Sequence, residues 1–327
     1  MSRVLRAARD AAPEARPGRT CPVSYRYSPR VFDRKAELEA HTLYVVGGLY
    51  GNVEALDRVL DLAAAESGVT LAFNGDFHWF DVDPADYAAI ESRVSRHARL
   101  RGNVERELAR DDSDAGCGCA YPDEVSDAEV SRSNAILARL RDTARREEPA
   151  RSALAGLPMH LVAAVGTARV GIVHGDASSL AGWGFAASRL DAPEHRRWIE
   201  DAFTHARVDV FACTHTCLPA MRHFTHARGA AVVANNGAAG MPNVALSRYG
   251  LLTRISVEPY RGPALAYGTK VGGVFVDALR IDYDHERWMR RFLASWPEGS
   301  GAHESYHRRM REGPRHSLAQ ARPLALP

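Results

Sequence analysis

The chain reads as an α/β protein in which two mixed β-sheets lie face to face with helices on the outside. Two observations predict this. From residue 43 onward short apolar runs alternate with amphipathic segments, and after Pro158 the pattern becomes a succession of strands with a single clear helix among them. The length of 327 residues, with 46% apolar and 25% charged residues, is enough to bury such a core as one large domain or two small ones.

"TLYVV" has strand length and is followed by Asn52, a candidate N-cap, and a helix with Val53, Leu56, Val59, Leu60 and Ala63 on one face. "VTLAFNGD" is the next strand and ends in the turn signal Asn74-Gly75. Pro84 opens a helix to about His97. "RGNVERELAR" reads as a strand-end turn, and residues 127 to about 147 as a polar helix whose stripe is Val130, Ile136, Leu137 and Leu140. "MHLVAAVG", "RVGIVHG", "VDVFACTH", "AAVVANNG" and "LLTRISVEP" are strands, with a helix over Ala192–His205. "VFVDALRIDYD" is a late strand and "HERWMRRFLASW" a late helix. These boundaries predict an N-terminal extension (1–40), one α/β domain (41–295) and a basic C-terminal tail (296–327) that wraps the surface or is loose.

Composition narrows the function classes. Lys35 and Lys270 are the only lysines, so the positive charge is nearly all arginine; with the many alanines this reads as coding bias, and no nucleic-acid partner is expected. No stretch has the roughly 18 to 20 apolar residues of a membrane span, and the first residues lack a signal-peptide apolar region. Five cysteines, an odd number, predict a reducing, cytoplasmic setting. Cys117-Gly118-Cys119 is poor geometry for a mutual disulfide; it suits metal or redox chemistry, or is simply a tight loop of small residues.

Metal-binding side chains in α/β proteins gather at the carboxyl ends of strands. Four such ends here carry ligand chemistry: Asp76 in "NGDFHWFD", Asn103 in "RGNVE", His174 in "GIVHGD" and His215 in "ACTHTCLP". A carboxylate, an amide oxygen and two imidazoles suit Mn, Fe or Zn. Each alone is an ordinary turn or strand-end residue; their shared placement makes them a candidate set.

With "NNGAAGMPN", these motifs resemble in order and spacing those of the calcineurin-like metallophosphoesterases, over about residues 42–256 plus the strand near 281. The resemblance implies a metallophosphoesterase-like sandwich, phosphate-ester hydrolysis and a two-metal centre. Carried over residue by residue, it places Asp76, Asn103, His174 and His215 around one ion. The other ion would be held by Asp76 and by the residues at 48, 50 and 217, which here are Gly48, Tyr50 and Cys217. Loss of one ligand set with the other intact implies a mononuclear site. The family's histidine that supports the leaving group is replaced by Val104, although some branches lack it and still hydrolyse esters; His78 is the nearest candidate general acid, or else a turn histidine beside Trp79 and Phe80. Tyr50 and Cys217 can be fillers, ligands for a softer second ion, or a proton donor and a nucleophile. Asn52, Asn236 and Gly237 are the expected substrate-binding positions, and Ala238 stands where the family has serine. The loops "HGDASSLAGWGFA" and "GCGCAYPDEVSD" look like a specificity wall.

Four protein ligands close a tetrahedral zinc, whereas six-coordinate Mn or Fe keeps about two positions open. One divalent ion, Mn or Fe rather than Zn, is therefore expected, acting on a small phosphorylated molecule. The other readings of the same residues are an inactive metal-binding relative and a metalloenzyme redirected through Cys217 and Tyr50.

Overall fold

The computed structural model describes residues 16–111 and 114–323; positions 1–15 of the expected extension and 324–327 of the expected tail lie outside the described residues. The strands form two six-stranded sheets. One has the order β1 (Leu38–Ala40), β5 (His160–Val165), β6 (Ala168–Val173), β7 (Val210–Cys213), β9 (Gly229–Asn235), β8 (Ala220–His226). The other has the order β11 (Leu265–Val271), β12 (Val274–Ile281), β10 (Gly250–Ser256), β2 (Thr42–Val46), β3 (Val69–Asn74), β4 (Ala98–Leu100). Both are mixed: β2, β3 and β4 run parallel, as do β6, β7 and β9, while the hairpins β8–β9 and β11–β12 each form one edge and β1 adds to β5 in parallel.

Strand β2 shows how the layers arise. Alternate side chains point to opposite faces, so Leu43 and Val45 join Ala163, Ile172 and Ile255 between the sheets, while Tyr44 and Val46 meet Leu56 and Val59 of helix α1 (Val53–Ala64). Asn52 caps α1 by accepting from the Ala55 N–H, and Asp83 caps α2 (Pro84–Val94). Helices α3 (Asn103–Leu108), α4 (Asp127–Arg146) and α5 (Glu148–Ala155) follow β4. On the other sheet, the short α6 (Ala187–Leu190) and α7 (Arg196–Ala206) cover the outer face.

The ends of the chain are more structured than the expected extension and tail. Tyr25 and Phe32 are fully buried and β1 extends a sheet. After α8 (His285–Ser295), Ser300 caps helix α9 (Gly301–Glu312), whose Ala302 and Met310 are buried; Arg132 of α4 donates to Ser305 at 2.6 Å, and α10 (Leu318–Ala321) follows. The "RGNVEREL" segment is helical from Asn103 rather than a turn, because Glu105 accepts from the Gly102 N–H and closes the first turn. Among the described residues no helix is long and apolar enough to cross a membrane.

Arg254 on β10 crosses this sheet as a buried cation. It is 1% exposed, opposite Tyr44 on β2 and Asp277 on β12, and pairs with Glu66 at 2.6 Å and Asp277 at 2.8 Å. Removing one member of a buried pair strands the other charge. Arg254→Met should therefore lower the urea-unfolding free energy by about 3 kcal/mol, and Asp277→Leu added to it should restore part of that loss; an unaltered midpoint in the single variant would refute the assignment.

Candidate metal centre

The parallel strands of the two sheets deliver their carboxyl ends to one crevice. Asp76 lies two residues beyond β3, Asn103 opens α3 just after β4, His174 follows β6 and His215 follows β7. All four are buried. His174 Nε2 lies 3.3 Å from an Asp76 carboxylate oxygen, 3.1 Å from Asn103 Oδ1 and 3.2 Å from His215 Nδ1.

Hydrogen bonding on the far side of each residue fixes what faces the centre. His174 Nδ1 sits 3.0 Å from the Asn74 carbonyl, and His215 Nε2 3.1 Å from the Cys119 carbonyl. Carbonyls accept only, so both nitrogens carry hydrogen and the inward nitrogens present lone pairs. Asn103 donates its amide to the Cys117 carbonyl at 2.9 Å, turning Oδ1 inward. Four electron-pair donors thus converge from separate segments, at the spacing of about 3 Å that neighbouring ligands adopt around an ion bonded at roughly 2.1 Å. A cation satisfies this arrangement. Without one, a proton on His174 relieves part of it: burial opposes that charge, but Asp76 outweighs burial and raises the pKa, while burial and then His174 push His215 down to about 3.

Two contacts position Asp76. Its backbone N–H and that of Gly102 donate to the Glu105 carboxylate, each at 2.8 Å. A Cβ on Gly102 would stand 2.2 Å from Asp76 Oδ1, so only glycine lets the carboxylate lie there. Val104 lines the same cavity and offers only its N–H, 3.2 Å from Asp76 Oδ1. Contrary to the sequence expectation, Cys117 and Cys119 are paired as a disulfide. Gly118, at φ 68°, folds the chain back and leaves their Cα atoms 5.4 Å apart. The same tight loop aims the Cys117 and Cys119 carbonyls at Asn103 and His215.

The other half of the site is built differently. The Tyr50 ring lies over Gly48, where a Cβ would meet ring carbon Cε2 at 2.9 Å, and the Tyr50 hydroxyl is 2.8 Å from Cys217 Sγ. Burial, then the neighbouring Cys217, raises the Tyr50 pKa; burial likewise raises that of Cys217. Tyr50, Cys217 and Asp76 have left-handed φ of 56°, 59° and 49°. A cavity of about 170 Å³ opens over these groups. Its walls come from Tyr121 and Trp183, in the two loops expected to form a specificity wall, and from Tyr306 and Arg309 of α9. The α9 residues lie in the expected tail and carried no signal in the sequence beyond being aromatic and basic.

The remaining expected site residues have structural roles. His78 does not line the cavity: it is fully buried, 2.6 Å from Asp81, 3.5 Å from Glu91 and stacked on Tyr87 at 4.0 Å, so it has no access to a leaving group. Asn52 caps α1 and donates to the Gly240 carbonyl. Asn236 donates to the Gly47 and Leu251 carbonyls, and the Gly237 carbonyl accepts from Thr214. These three fasten the loops beneath the crevice rather than contact its contents.

Burial lowers the His78 pKa, but Asp81 and Glu91 outweigh it and raise it to about 9. A raised folded-state pKa stabilises fully below the unfolded value of about 6.5 and ceases to do so as pH rises through 9. His78→Gln should lower stability at pH 6 by about 3 kcal/mol and by less at pH 9.5; urea unfolding at the two pH values checks this, and an equal loss at both would contradict it.

No protein-family model matches the chain, and no curated protein matches it. Solved structures do. A hypothetical protein from Pyrococcus horikoshii OT3 aligns at 16% identity and TM-score 0.55 over 84% of this chain and 99% of its own. A metallophosphoesterase from Sphaerobacter thermophilus aligns at 17% identity and TM-score 0.53 over 84% of this chain and 100% of its own. With two mixed six-stranded sheets between helices and its candidate ligands at the strand ends, the chain has the calcineurin-like metallophosphoesterase fold.

Proposed function

We propose that this protein is a metal-dependent hydrolase of phosphate esters that works with one divalent ion held by Asp76, Asn103, His174 and His215. The observation that carries this reading is the convergence of four buried donors, three of which, His174, His215 and Asn103, are turned by outward hydrogen bonds to main-chain carbonyls so that their remaining donor atoms face Asp76. A divalent ion there supplies Lewis acidity toward a phosphoryl oxygen and activation of water. The four donors leave about two positions open on a six-coordinate ion, which favours Mn or Fe over Zn.

The chain's own groups do the rest. Tyr50 keeps its proton because burial raises its pKa, so its hydroxyl serves as a hydrogen-bond donor to a phosphoryl or leaving oxygen, with Cys217 as its partner. Tyr121 and Trp183, ring centroids 6.0 Å apart and planes tilted by 49°, give the cavity an aromatic wall suited to an ester of an aromatic alcohol. A metal-binding protein without turnover is the second reading, favoured by the Tyr50 ring standing over Gly48.

Metal analysis of protein purified without added metal should give one equivalent of Mn or Fe per chain; two equivalents would refute the mononuclear reading, and tightly bound zinc alone would favour a closed, structural site. Aryl phosphate hydrolysis should fall at least ~100-fold in His215→Ala with loss of the metal, and Gly102→Ala should weaken metal affinity about tenfold by displacing Asp76. Cys217→Ser should keep the metal and lower kcat about tenfold; an unchanged kcat would reduce the pair to space filling, and a wild type that holds the metal but hydrolyses no ester would leave the second reading.

A further inference from the structure

The cavity holds a charge that the metal ligands do not explain. Among the described residues lining it, Asp76 is the one carboxylate and Arg309 the one guanidinium. Arg309 has no carboxylate within ion-pair distance among the described residues. Nε donates to the Pro242 carbonyl at 3.3 Å and Nη2 to the Cys217 carbonyl at 2.5 Å, while Nη1 has no protein partner there. Two anchors on main-chain carbonyls hold the planar group still and add no negative charge to cancel its own. The anchored residue is Cys217, so the guanidinium is fastened beside the half of the site where Gly48 and Tyr50 stand.

We propose that Arg309 is the second cation of this centre and binds the phosphoryl oxygens of a phosphate monoester dianion, the position taken by a second ion in a two-metal site. This rests on the phosphate-ester reading above. A guanidinium presents its donors in a fork that matches two phosphoryl oxygens, and its charge persists at any physiological pH. The charges also balance. Asp76 and Arg309 cancel, so a divalent ion on the four donors leaves the cavity at +2, which a monoester dianion neutralises and a diester monoanion does not.

Calorimetric titration of inorganic phosphate into the full chain saturated with manganese tests this directly. Arg309→Met should raise the phosphate Kd by about 30-fold, as expected for loss of charge-assisted hydrogen bonds, while binding the same amount of metal. Arg309→Lys, which keeps the charge and loses the fork, should fall between the two. If Arg309→Met does not fold, the lysine variant carries the test, with a weakened phosphate Kd at unchanged metal content as the supporting result. Metal-replete variants that bind phosphate as tightly as wild type would overturn the inference, even if the protein hydrolyses esters. Arg309-dependent phosphate binding in a protein that hydrolyses nothing would uphold it while the hydrolase reading fails. A wild type that hydrolyses aryl phosphate diesters in preference to monoesters would overturn the dianion assignment.

Discussion

The site depends on one buried carboxylate. Glu105 has no exposed surface and no cationic partner among its hydrogen bonds; instead it accepts backbone N–H groups of Gly102, Asp76 and Phe77 at 2.8, 2.8 and 3.0 Å, with His78 at 3.4 Å. Those N–H groups belong to the loops leaving β3 and β4, so a single side chain sets the distance between the segments that carry Asp76 and Asn103. Burying an acid beside another acid is unfavourable: burial, then Asp76, pushes Glu105 up to about 7. A divalent cation between Asp76 and the two histidines would reduce that repulsion as well as satisfy the lone pairs, and would couple metal binding to the fold through Glu105, which lies outside the donor set.

The second constraint is backbone strain at three residues that line the cavity. Asp76, Tyr50 and Cys217 all adopt left-handed φ values without being glycine or asparagine, at a cost of about 1 kcal/mol or more each. Asp76 lies two residues after β3; Tyr50 and Cys217 lie four residues after β2 and β7. The chain turns sharply at each position, and the side chain is thrown into the crevice instead of following the strand. This explains why three such different side chains share one cavity. The Tyr50 ring occupies the volume that any side chain at position 48 would enter, so the ring at 50 and the glycine at 48 require one another.

The sequence exposed those parts of the protein whose chemistry and position follow from local pattern. Asp76, Asn103, His174 and His215 were legible because each sits immediately beyond an apolar strand, and the sheets were legible from alternation in segments such as β2. Direction was not legible. His78 is two residues from Asp76, yet Asp81 and the α2 residue Glu91 draw it into the protein, and nothing in "NGDFHWFD" fixes which way it faces. Asn52 was expected both as a helix cap and as a ligand to substrate, and capping consumed it. The Cys-Gly-Cys loop closed on itself because Gly118 took a left-handed conformation that spacing alone cannot specify. Helix α9 escaped notice for a different reason: it buries only Ala302 and Met310 fully, so its apolar periodicity is faint.

That helix changes how the architecture divides its labour. The strand ends supply a half-site whose geometry is fixed by main-chain carbonyls, since His174, His215 and Asn103 are each oriented by one. The other half is supplied by side chains from loops and from α9, which rests on α4 rather than on either sheet. A sheet edge cannot easily be altered, because moving one strand end moves its neighbours through the ladder. A surface helix can exchange Tyr306 or Arg309 without disturbing the ladders. The four candidate ligands are thus held by the part of the fold that resists change, and the cavity wall opposite them by the part that permits it. Cys217, two residues beyond His215, joins the two, because its carbonyl accepts from Arg309 of α9 while its side chain meets Tyr50.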